Sequence, residues 1–182
     1  MLTRAQLAVL ATFHLDPSRV VKDQRGNGYI EAWDVRRRLL EIFGWGGFDI
    51  TVVSSELAFD GINIRDGQER REVVYRVVTR LTIKDPDGYV VATFEDGAAG
   101  GAINPSIEDA HDQALKSAMS GALKRCAVNL GTQFGLSLYN DGSLKNVVRD
   151  TLGHGGPFRT PNTGSGSSGT GETEPSNEPA NF

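Results

Sequence analysis

Four alanines, Ala110, Ala114, Ala118 and Ala122, recur at every fourth position of one uninterrupted stretch. At helical periodicity they stack one above another on a single face, a flat stripe with nothing beyond Cβ. A helix with that face can lie close against a sheet. Ser106 supplies the start signal as N-cap, with Glu108 and Asp109 in the first turn, where acids complement the positive end of a helix. The stretch continues through Ser117–Leu130, mostly small and apolar, and runs into Gly131 and Gly135. These let the backbone bend or approach another segment closely. One adjacent cationic pair, Lys124 and Arg125, interrupts the apolar run between Leu123 and Cys126. Two cations on such a helix ask for an anion, and a carboxylate or a phosphate chain are the usual answers.

The segments before this helix predict what it packs on. Thr3 with Gln6 forms a capping box for a short amphipathic helix carrying Leu7, Leu10 and Ala11, which stops near Asp16 and Pro17. Val20–Gly28 is polar and glycine-containing and reads as a turn or loop. Glu31–Phe43 reads as a second helix, with Val35, Leu39, Ile42 and Phe43 inward and Arg36, Arg37 and Arg38 between them. It ends abruptly at Gly44–Gly47. From there the period changes to two. Phe48–Phe59 and Glu72–Lys84 are strand candidates joined by a turn-rich link around Asp66 and Gly67. Asp85–Gly88 is a tight-turn signal, Tyr89–Phe94 returns as the next strand, and Gly97–Gly101 reads as a flexible connector. A further short helix is expected near Ser143–Leu152. The class is therefore α+β: an antiparallel β-meander of three or more strands packed by a long helix, with N-terminal helices.

Beyond Gly153 only Phe158 and Phe182 are large and apolar. Such a segment buries too little to offset its ordering entropy, so residues 153–182 are expected to be a disordered tail and residues 1–152 the folded domain. The tail carries Arg159 against Glu172, Glu174 and Glu178, a net −2 of the chain's −4. An overall acidic chain argues against nucleic acid unless cations are locally concentrated. The single cysteine, Cys126, excludes an intramolecular disulfide framework and a thiolate zinc cluster. No apolar run approaches membrane-spanning length and no signal-peptide core is visible, which predicts a soluble, cytoplasmic protein with no membrane partner.

Enzymatic chemistry finds no footing in these residues. His14, His111 and His154 are scattered without metal-ligand spacing. Gly97–Gly101 lacks the Lys-Ser/Thr of a phosphate-cradling loop, and Glu95 with Asp96 is a weak carboxylate pair. A non-enzyme without cofactor or metal is expected. Cations are the better lead: Lys124 with Arg125, Arg36–Arg38, Arg70 with Arg71, and Lys22 with Arg25. For the arginine runs a solvated face explains the pattern equally well. For Lys124 and Arg125 an ion pair with an acid is the competing explanation.

Two stretches carry a family resemblance. Ser117–Asn140, with Lys124, Arg125, Gly131 and Gly135, resembles the lysine-arginine helix of the Rad52 superfamily of single-strand annealing proteins. Tyr29–Phe48, with Ile30, Glu31, Gly44, Trp45 and Gly47, resembles the family's tyrosine-isoleucine-glutamate helix and the glycine-aromatic run before its first strand. The two lie in the family's order around a meander and together cover about residues 15 to 141.

That resemblance implies that Lys124 and Arg125 grip the backbone of single-stranded DNA. Tyr29 lines the same groove, and Lys22 or Arg25 supplies the preceding cation. It also implies a homo-oligomeric ring that anneals complementary strands in recombination and repair without nucleotide hydrolysis, with a single-strand-binding protein as candidate partner. Val128 stands where eukaryotic members have a further arginine, and Pro105 where they have a lysine of an outer DNA surface. These departures fit a bacterial or phage-type member, nucleoid-associated, that keeps the groove and not the outer surface. The alternatives are an RNA-binding α+β module reading duplex shape, and a ligand-binding or purely structural domain.

Overall fold

The computed structural model describes residues 1–148. The expected tail, and the end of the helix expected at Ser143–Leu152, lie outside the described residues. Helix α1 (Arg4–Thr12) starts with the expected capping box: the Gln6 amide donates to Thr3 Oγ1 at 3.2 Å and the Thr3 amide to Gln6 Oε1 at 2.8 Å. Gln6 Nε2 also donates to the Ile42 carbonyl, tying α1 to the end of α2 (Ala32–Phe43). Between them, Val20–Gly28 is not the expected loop. Strands β1 (Val20–Lys22) and β2 (Gly28–Ile30) pair antiparallel, with Val21 opposite Tyr29 and Lys22 opposite Gly28. The Asp23 carboxylate makes this turn by accepting from the Arg25 and Asn27 amides at 2.8 and 2.9 Å.

The main sheet is a three-stranded antiparallel meander, β3 (Phe48–Arg65), β4 (Gln68–Lys84) and β5 (Val90–Asn104), with β4 central. The strands run well past the expected limits. Asp66 and Gly67 both have positive φ, the two-residue hairpin turn whose twist matches its strands. Polar cross-strand partners then carry pairing through residues that read as breakers, among them Asn63 opposite Arg70 and an Asp60–Arg71 ion pair.

Helix α3 (Ile107–Val128) is capped by Ser106 as expected, and Ala110, Ala114, Ala118 and Ala122 are all fully buried on the sheet. Its partner corrects the sequence expectation for Gly97–Gly101. That run is strand, not connector, and a Cβ added to Gly100 would stand 2.2 Å from the Ala118 amide nitrogen. Alanine on the helix and glycine on the strand together remove the side chains that would hold the two backbones apart.

After Val128 two short 3₁₀ turns, Thr132–Phe134 and Leu136–Tyr139, reverse the chain through Gly131 and Gly135, at φ 103° and 93°. The largest core cluster gathers Leu15, Val35, Leu39, Leu81, Leu123 and Phe134 where α2, β4, α3 and this reversal meet. Residues 143–148 are not helical. Several of their hydrogen bonds go to other segments instead, with Leu144 O accepting from the Leu15 amide and the Asn146 amide donating to His14 Nδ1.

Candidate nucleic-acid interface

The reversal after α3 brings Leu138 and Tyr139 beside the β1–β2 hairpin, and the last two turns of α3 run past both. Between them lies a groove of about 410 Å³. Tyr29 and Tyr139, Lys124 and Arg125, and the apolar Val128 and Leu138 line it. Ile30, Val35 and Phe134, all buried, form its floor and belong to the main core, so the walls are anchored in the packed interior. Gly135 lets the chain turn there: its φ of 93° suits glycine, and an added Cβ would meet Ile30 Cδ1 at 3.3 Å.

Three of the five residues singled out in the sequence converge in this groove. Lys124 Nζ sits 5.1 Å above the centre of the Tyr29 ring, a cation–π contact, and has no carboxylate partner among the described residues. Arg125 extends outward, its side chain 57% exposed, and its Nε donates to Asp96 Oδ1 at 2.9 Å. The competing ion-pair explanation thus holds for Arg125 only. An exposed pair of this kind is worth about 0–1 kcal/mol and is readily exchanged for another anion. Lys22 and Arg25 are exposed on the same hairpin, at its strand end and in its turn, but neither lines the groove.

In the other arginine clusters Arg37, Arg38 and Arg71 are committed elsewhere, whereas Arg36 and Arg70 have no ion-pair partner among the described residues. Arg37 bonds Asp34 at 2.6 Å and also pairs with Glu41; Arg38 pairs with Glu41 and bonds Gln133 Oε1. Arg71 pairs with Asp60 on the neighbouring strand. A buried ion pair that the sequence reading passed over lies beneath α2. Arg19, 9% exposed, meets Asp34, 4% exposed, at 2.7 Å and donates to the Gln133 carbonyl at 2.9 Å. Burial pushes the Asp34 carboxyl up, but hydrogen bonds from Arg19 and Arg37 outweigh it and hold the group below the usual carboxylate range. The signal was the position of Asp34 next to Val35 on the inward stripe of α2, where an acid requires a partner.

His111 faces the sheet and not solvent alone: its Nδ1 is 2.9 Å from the Tyr75 hydroxyl. Cys126 is buried with its Sγ donating to the Thr79 carbonyl, and burial raises its thiol pKa. Among the described residues no group of three His, Cys, Asp or Glu could hold a metal, and no helix is long and apolar enough to cross a membrane.

Fold and groove define a class of protein: an α+β domain whose long helix, pressed on an antiparallel meander, carries a cationic pair to the rim of an aromatic-lined cleft. A model of the Rad52/22 family of double-strand break repair proteins matches residues 10–155, and the chain belongs to that family. It is similar to the DNA repair and recombination protein rad22 of Schizosaccharomyces pombe, 31% identical over 120 residues, 65% of this chain and 24% of that protein. It is also similar to the DNA repair and recombination protein rti1 of the same yeast, 25% identical over 123 residues, 66% of this chain and 31% of that protein. The matched region thus spans about a quarter to a third of these relatives.

Proposed function

We propose that the groove holds the sugar–phosphate backbone of single-stranded DNA, and that the protein anneals complementary strands in recombination and repair without nucleotide hydrolysis. The observation that carries this is the convergence of Lys124, Arg125 and Tyr29 in one cleft, with Lys124 unpaired with any acid among the described residues of an otherwise acidic chain. Family membership supports the role in repair, as do the relatives' names. Cations on a helix anchored by its other half meet phosphates without reading sequence. Gripping the backbone leaves base edges available to a second strand.

Two cations give weak binding per subunit, so the function calls for repetition. The outer edge of β3, unpaired among the described residues, supports self-association. It is long and carries Val52, Val53, Leu57, Phe59, Ile62 and Ile64, each between 42% and 72% exposed. An unprotected apolar edge of this kind invites another chain. In a homo-oligomeric ring, each subunit's contacts add to its neighbours' through effective concentration.

An annealing assay tests the reading. Complementary oligonucleotides mixed with the protein, without ATP or metal, should pair faster than alone, and sedimentation should find an assembly larger than a dimer. A monomeric protein with no effect on pairing would overturn it.

A further inference from the structure

The groove holds two tyrosines in different situations. Tyr29 is half-buried on β2, and the Lys124 ammonium occupies the space above its ring. A cation at 5.1 Å is well inside the range in which the ring quadrupole attracts it. A lysine stem is flexible, and this contact restricts where its charge sits. Tyr139 ends the second 3₁₀ turn and is 76% exposed, yet it lines the same cleft. Among the described residues its side chain has no hydrogen bond and its ring no aromatic or cationic partner. Its place is set by its neighbours: Leu138 packs on the core, and Gly135 turns the chain toward the groove.

We propose that Tyr139 is the base-contacting platform of the groove, whereas Tyr29 is the positioning residue that aims Lys124 at a phosphate; this rests on the backbone-gripping function proposed above. A free aromatic face beside a phosphate-binding pair takes a base by stacking. Stacking tolerates any sequence, because every base has a π-face. The division of work follows from occupancy: one ring carries a cation on its face, the other is open.

Binding of the full chain to two probes of equal length tests it: oligo-dT, and an abasic oligonucleotide with the same sugar–phosphate backbone. Wild type should prefer oligo-dT. Tyr139→Ala should weaken oligo-dT binding by roughly tenfold or more, leave the abasic probe unchanged, and be rescued by Tyr139→Trp. Tyr29→Leu should weaken both probes alike and flatten the salt dependence, and Tyr29→Phe, which keeps the ring, should restore both. Circular dichroism confirms that each variant is folded. Unchanged oligo-dT affinity in Tyr139→Ala, or an equal loss on both probes, overturns this inference alone. Wild-type protein that binds neither probe overturns the backbone-gripping function and this inference with it.

Discussion

The cations of α2 and those at the end of α3 are the same residue types in opposite states. Around α2, Arg19, Arg37 and Arg38 are each held by Asp34, Glu41 or Gln133, so their guanidinium groups are already engaged within the fold. On α3, Lys124 faces only an aromatic ring among the described residues, and Arg125 holds one partly exposed acid. The α2 arginines are the more conspicuous in the sequence, three in a row, yet Arg37 and Arg38 are tied to partners within the fold and none of the three lines the groove. What matters for binding is charge that the fold leaves accessible, and only the second set lines the groove between α3 and the hairpin.

If that contrast is right, breaking the first set should damage stability and breaking the second should damage binding. The largest effect is expected for Asp34→Ala, which leaves Arg19 buried without its anion. The loss should be about 3–5 kcal/mol, seen as a lowered denaturation midpoint in urea. The same carboxylate makes a pH prediction. Its folded pKa is depressed, so its contribution is complete above the unfolded value of about 3.9 and drains away as pH falls through the lower folded value. Acid titration of wild type should lose stability in that window, and Asp34→Asn should show a shallower loss there.

Gly100→Ala comes next, because its Cβ would meet the backbone of α3. A destabilisation of about 1–3 kcal/mol is expected by calorimetry, together with weaker DNA binding as the helix shifts. Lys124→Ala and Arg125→Ala should each cost roughly tenfold in single-strand affinity by fluorescence anisotropy, with stability changed by no more than about 1 kcal/mol. The smallest effect belongs to Arg36→Ala. Arg36 is exposed and has no ion-pair partner among the described residues. Neither stability nor binding should move beyond about 0.5 kcal/mol. A large loss of DNA affinity there would blur the contrast between the two sets.

What could be read in advance was what local chemistry specifies. The Thr3 and Ser106 caps, the inward stripe of α2 and the alanine stripe of α3 each act within one or two turns, so their residues announce themselves. The glycine run of β5 misled for a physical reason. Glycine weakens a strand locally, yet here its missing side chain is what a helix distant in sequence requires. The β1–β2 hairpin was hard to read because its strands are only three residues each, and its Asn27-Gly28 pair stands at the end of a longer turn that the Asp23 carboxylate organises by accepting from the Arg25 and Asn27 amides. Lys124, Arg125 and Tyr29 were legible as a set through family resemblance and do share a groove, whereas Lys22 and Arg25 lie beside it. Tyr139 gave no signal: only the reversal at Gly131 and Gly135 brings it across from the hairpin.

The central claim is that Lys124 and Arg125 are phosphate contacts, and salt dependence measures this directly. The affinity of wild type and of Lys124→Ala/Arg125→Ala for oligo-dT should be followed across a salt titration, with folding and assembly size checked in parallel. Each lost contact should reduce the slope of log affinity against log salt by about 0.7 for a single strand, and affinities should converge at high salt. A folded, correctly assembled double variant with unchanged affinity and slope would contradict the account, because the cations of the groove would then be unused.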